Sequence, residues 1–186
     1  MVGNIPEYPW FGVVDGDDLE QGDIVDSCPV FLPPNDLVVS AQAKPSSAAF
    51  IWKEQDLIVM SQSCDLEKGR EKVDDILFCA VWKRSELTGD DHLAKNEGME
   101  DARKGRLPGF HVLAASTVSG FEREVRVVDF RRVYSLPVAF VRNRAKMAKR
   151  LRLLPPYREH LSQSFARFFM RVGLPVDIPP FTGKKK

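Results

Sequence analysis

Apolar side chains occupy successive positions in two central stretches, Asp56-Leu57-Ile58-Val59-Met60-Ser61 and Asp75-Ile76-Leu77-Phe78-Cys79-Ala80-Val81-Trp82. Neighbouring residues of a strand point to opposite faces, so an unbroken apolar run predicts a strand buried on both sides. Charged residues and Gly69 between the two runs predict a loop or short hairpin over 64–74. Upstream, the Gln21-Gly22-Asp23 turn leads into Ile24-Val25 and then Pro29-Val30-Phe31-Leu32, a short strand broken at 26–28 and stopped by Pro33-Pro34. Residues 37–40 predict a second short strand and 41–48 a loop. Downstream, β character returns at 110–114, at 124–130 and at 132–136, with Pro137 as a break.

Helical spacing is strongest after Pro155-Pro156, where prolines suit a first turn whose N–H groups are free anyway. Tyr157, Leu161, Phe165, Phe168, Phe169 and Val172 fall on one apolar face, and Gly173 followed by Pro175 marks the stop. A shorter helix is expected near 92–103, inside a charged segment (83–109) whose composition reads as a surface insertion. Residues 138–149 form a third candidate helix. Residues 1–18 are rich in Pro and Gly and predict an extended lead-in, pinned to the body by Tyr8, Trp10 and Phe11. Residues 177–186 read as a flexible basic tail.

With 186 residues, 44% hydrophobic and 28% charged, the chain suits one domain with a core of its own (19–176). The longest apolar-rich stretch, near 37–50, is interrupted by Lys44 and falls far short of the ~20 residues of a membrane span. No basic segment followed by an apolar one opens the chain, and Cys28, Cys64 and Cys79 have no paired spacing. A reducing, cytoplasmic setting with free thiols follows. His92, His111 and His160 are far apart in sequence, so no structural metal and no cofactor is expected. Phosphate-loop, dinucleotide-glycine, HExxH and GxSxG patterns are absent, which removes those enzyme classes.

The net charge of +1 hides a gradient: residues 1–43 carry −8, residues 44–122 carry −3 and residues 123–186 carry +12. Arg142, Arg144, Lys146, Lys149, Arg150 and Arg152 place six positive charges in eleven residues with no acid between them. Such a stretch can hold a nucleic-acid backbone, and the scarcity of aromatic residues within it favours phosphate contacts over base readout. The competing expectation is that Asp15, Asp17, Asp18, Glu20, Asp23 and Asp26 neutralise it inside the fold.

Ser61-Gln62-Ser63-Cys64-Asp65 follows the first buried run, at a strand end where chemistry is often displayed. Cys64 can be read as a poised thiol with Asp65 beside it and His111 as partner, the latter by elimination only. Ser61, Gln62 and Ser63 can be read as a ligand pocket. Alternatively Cys64 is a small core residue and Asp65 completes a turn.

In order, Gly22-Asp23-Ile24-Val25, the buried run ending at Ser61, the run at 76–82, the strand at 125–136 and the helix closing near Leu174 resemble the PemK/MazF-like toxin superfamily. The resemblance covers roughly 19–176, with insertions at about 33–52 and 84–109, and implies an α+β fold built on a small, partly open SH3-like β-barrel in a bacterial protein. Toxins of that family cut RNA with an arginine before the second strand and a threonine or serine ending the third. Here those places hold Asp56 and Trp82-Lys83, so the catalytic pair does not carry over. The expected function is a non-catalytic module of a toxin–antitoxin or defence-type system, contacting a partner protein or nucleic acid, alone or as an oligomer. The alternative is an enzyme centred on Cys64 and Asp65, as thiol nucleophile or degenerate endoribonuclease.

Overall fold

The computed structural model describes residues 8–34, 50–89 and 92–170. The expected strand at 37–40, the loop at 41–48, the helix stop at Gly173 and the basic tail lie outside the described residues. Within them, β1 (Phe11–Val14), β2 (Ile24–Leu32), β3 (Ile51–Val59), β4 (Asp75–Lys83), α1 (Asn96–Arg103), β5 (Phe110–Leu113), β6 (Arg126–Pro137), α2 (Val138–Ala145), β7 (Arg150–Leu153) and α3 (Tyr157–Phe169) follow in order. The fold is α+β. One antiparallel sheet runs β2-β3-β4-β6-β5 and a second pairs β1 with β7. Both sheets are open.

The central runs are apolar throughout because the large sheet is covered on both faces. On one side Ile58, Cys79, Val81, Val128 and Phe130 pack with Phe11 and Leu151 from the small sheet and Leu161 from α3. On the other, Leu57, Val59, Ile76 and Phe78 pack with Leu66 and with Val141 and Ala145 of α2. Cys28 and Cys79 are core residues, and burial pushes their thiols up to about 11 and about 12.

Two irregularities shape the sheet. The break expected at 26–28 is a bulge between Val25 and Cys28 within one continuous strand, with Ser27 at φ 48° and its N–H donating to Asp56 Oδ1 at 2.8 Å. Residues 132–136 continue the strand begun at 124–130, as expected, and together they form β6 (Arg126–Pro137). Asp129 faces Ala80 and Val133 faces Cys79, so β6 carries the extra residues.

Three expectations change in the structure. Helix α2 stops at Ala145 rather than running to 149, because residues 150–153 leave it to pair with β1. The lead-in contributes that partner strand, with Phe11 buried and Trp10 stacked on Tyr157 at 3.8 Å between centroids. The charged insertion buries a small core of its own, Leu93, Met99 and Ala102 against Val127 of β6. Gly98 permits this, since a Cβ there would stand 2.0 Å from the His92 carbonyl oxygen. Gly22, at φ 87°, joins the two sheets: its N–H donates to Val59 O and its carbonyl accepts from Leu153 N, both at 2.9 Å.

Candidate anion-binding cleft

Pairing β7 with β1 brings the basic end of the chain onto the acidic one. Arg150 Nε donates to Asp23 Oδ2 at 2.8 Å and its Nη1 to Gly16 O at 2.7 Å. The side chain of Arg150 is 4% exposed and that of Asp23 is fully buried. Arg152 pairs with both Asp23 and Glu20, and Arg158 with Glu20 at 3.0 Å. Lys146 lies 3.2 Å from Asp17. Arg142, also buried, pairs with Glu71 at 2.9 Å and donates to Leu66 O at 2.9 Å. Four cations of the basic stretch, Arg142, Lys146, Arg150 and Arg152, are thus held by internal carboxylates.

Arg144 and Lys149 differ. They line a cleft of about 280 Å³ between the β2 bulge and the turn after α2, with Asp26, Ser27 and Arg123 opposite. Lys149 is exposed and has no ion-pair partner among the described residues. Arg144 meets no carboxylate among the described residues: its Nη2 donates to the carbonyl oxygens of Asp26 and Ser27, each at 3.4 Å, its Nη1 lies 4.0 Å from Met147 Sδ, and its Nε is buried without a hydrogen-bond partner. Asp26, the one carboxylate in the lining, is shared by Arg123 at 3.1 Å and Arg126 at 3.2 Å.

Behind the cleft, charge is deeply desolvated. Arg126 is 1% exposed, and its Nε and Nη2 have no hydrogen-bond partner. Burial lowers its pKa, against the pull of Asp26 and Asp56. Burial likewise raises the Asp56 carboxyl, opposed by the Ser27 N–H and reinforced by the nearby charge of Asp26. The cleft therefore presents more cation than carboxylate, on a bulge that holds a serine in left-handed backbone. It can accept an oxyanion between Lys149, Arg144 and Arg123.

The cluster after β3 is built differently. Ser61 Oγ accepts the Leu77 N–H at 2.9 Å and Ser63 Oγ accepts the Gln21 N–H at 3.1 Å, so both hydroxyls latch backbone. Gln62 Nε2 donates to Ser162 Oγ of α3 at 3.3 Å. Cys64 is exposed, contrary to the core alternative, with Sγ 3.6 Å from Asp65 Oδ1, and Asp65 pairs with Lys72 at 3.3 Å. Cys64 shares an open cavity with Arg158, Glu159 and Ser162. His111 does not join it: it lines another cavity with His160, Ser164 and Arg167, on a different face of α3. His92 is paired with Asp101 at 3.3 Å.

Asp26 was expected to neutralise the basic stretch, but it pairs with Arg123 and Arg126 instead, two residues the sequence did not single out. Nothing local marks a buried arginine inside β6. Among the described residues no group of three His, Cys, Asp or Glu side chains can hold a metal ion, and no helix is long and apolar enough to cross a membrane. No protein-family model matches the chain, and no curated protein matches it.

Proposed function

We propose that this domain is a non-catalytic module that holds a nucleic-acid backbone through phosphate contacts at Lys149 and Arg144, with Arg123 beside them. One observation carries it: after internal pairing has absorbed most of the basic stretch, two of its cations still line one cleft opposite a third. The cleft has no aromatic lining, which favours backbone contact without base readout. Neutralising about three phosphates gives a log–log salt slope of roughly −2 to −3 on duplex DNA. The order of strands and the closing helix support a divergent, partly open SH3-like barrel of PemK/MazF type. That reading carries with it a bacterial, cytoplasmic, toxin–antitoxin or defence-type setting.

Fluorescence anisotropy with labelled duplex DNA and single-stranded RNA, titrated across salt, tests the proposal. Lys149→Glu and Arg144→Glu are expected to weaken binding across all sequences, and removing either cation should reduce the slope by about 1. Arg150 is unsuitable for this purpose, because reversing a buried paired charge unfolds the site that is being tested. Absence of binding at low salt overturns the proposal.

A second role, thiol chemistry, rests on the exposure of Cys64 in an open cavity that it shares with Arg158, against the neighbouring Asp65 carboxylate, which disfavours a thiolate. An alkylation rate that follows pH as an ordinary thiol does, with a midpoint of about 8.5, removes it.

A further inference from the structure

Neither role uses the cavity of about 390 Å³ that opens between α3, β5 and the end of α1. Its volume lies in the range of small-molecule sites, roughly 300–1,000 Å³. Trp10 and Tyr157 line it as a stacked pair, with ring planes 13° apart. His111, 8% exposed, lines it from β5 and meets His160 edge-on at 5.5 Å between centroids. Burial, and then the charge of His160, push the His111 imidazole down to about 4, so it is neutral near pH 7.

A neutral imidazole offers one N–H donor and one acceptor nitrogen. Neither is used by any hydrogen bond among the described residues, although His111 is more than nine-tenths buried. The fully buried side-chain atoms without a partner among the described residues belong to Arg126, Arg142 and Arg144, so the His111 ring nitrogens remain open to the cavity, where the edge of a ligand can meet them.

The rim is cationic. Arg103 and Lys104 both pair with one carboxylate, Glu100, at 2.7 Å and 3.0 Å. Arg167, exposed on α3, has no charged partner among the described residues. The lining holds no carboxylate. An aromatic wall, a donor–acceptor edge within the cavity and excess positive charge at its mouth ask for three features in one ligand. These are a flat π-face, a hydrogen-bonding edge and an anionic group.

We propose that this cavity binds a nucleotide, with its base extending the Trp10–Tyr157 stack, its edge bonded to His111 and its phosphate held by Arg167 and Lys104. The nucleotide can be free or part of a strand, since both present the same chemistry. The site is separate from the cleft at Lys149 and does not depend on it.

Isothermal titration of the full chain with AMP, GMP, CMP and UMP tests the proposal, with inorganic phosphate and adenosine as partial ligands. At least one mononucleotide is expected to bind saturably, and each partial ligand about tenfold or more weaker. Arg167→Glu alters an exposed side chain, so it should weaken mononucleotide binding about tenfold or more with the circular dichroism and melting temperature unchanged. Repeating the titrations in a Lys149→Glu background removes any phosphate binding at the cleft, and the Arg167-dependent part of mononucleotide binding should persist there, which separates failure of this site from failure of the phosphate cleft. A short single-stranded oligonucleotide binding more tightly than its mononucleotide, and losing that affinity with Arg167→Glu, assigns the ligand to a strand. Equal affinities assign it to the free nucleotide. No saturable binding of any mononucleotide up to about 5 mM overturns the proposal. So does inorganic phosphate binding as well as the best nucleotide, or indifference of nucleotide binding to Arg167→Glu.

Discussion

Removing the charge of Asp23 is the sharpest perturbation of the electrostatic arrangement. Asp23→Asn keeps the shape of the side chain but leaves Arg150, 4% exposed, and Arg152, 12% exposed, around a neutral group. Glu20 still answers Arg152, whereas Arg150 retains only the carbonyl oxygens of Gly16 and Asp18. Breaking a buried pair from one side costs about 3–5 kcal/mol, because the remaining charge stays desolvated without compensation. Against a total stability of roughly 5–15 kcal/mol that is a large share, and it should lower the melting temperature by about 6–20 °C. Urea denaturation followed by circular dichroism and tryptophan fluorescence measures it. Replacing the pair together, as Asp23→Leu with Arg150→Met, should recover much of the loss, since both desolvation penalties then disappear. A loss below about 1 kcal/mol for Asp23→Asn would refute the reasoning, because that is the range of an exposed pair.

Native protein treated with a thiol reagent should modify Cys64 alone, with Cys28 and Cys79 reacting only after denaturation; fast modification of either buried thiol contradicts the packing. The Asp17 carboxyl, held down to about 2 first by its Lys68 hydrogen bond and then by Lys146, should titrate near there by NMR. Its folded pKa is below the ordinary 3.8, so its contribution to stability is present above that value and is lost as pH falls through about 2. Lys68→Met should move the midpoint upward. His111 is also depressed, from 6.5 to about 4, so the unfolded chain binds its proton first and stability falls as pH drops between those values. The loss by pH 4 should be on the order of 3 kcal/mol, and a denaturation series with His111→Gln should show a flatter profile. Ser27→Gly should stabilise the fold by up to about 1 kcal/mol by freeing the left-handed position, read as a shift in the urea midpoint.

Much of the large sheet was legible from the chain. The apolar runs at 56–61 and 75–82 could be satisfied only by strands covered on both faces, and β3 and β4 are such strands. The spacing of Tyr157, Leu161 and Phe165 likewise placed α3 and the face it buries. Hydrophobic periodicity reports these because it is local: each residue states its own preference for water or core. The bulges were half visible, as a polar break in β2 and an apparent join in β6, because a bulge interrupts the pattern without ending the strand.

What the periodicity could not convey was which distant charges meet. Arg150-Leu151-Arg152-Leu153 alternates as a strand does, yet its two arginines read equally well as a phosphate-binding face. Only the pairing of β7 with β1 sets Arg150 against Asp23, 127 residues away, and leaves Lys149 in the open. Cys64 and His111 were paired by elimination, and α3 places them in different cavities. The cavity shared by Trp10, His111, Tyr157 and Arg167 draws on segments spread along most of the chain, so no local pattern announces it. Local hydrophobicity along the chain fixes where side chains leave water. The tertiary structure decided which cations are neutralised and which are left for a ligand, because Coulomb interaction depends on separation in space and on burial, and neither is a property of position along the chain.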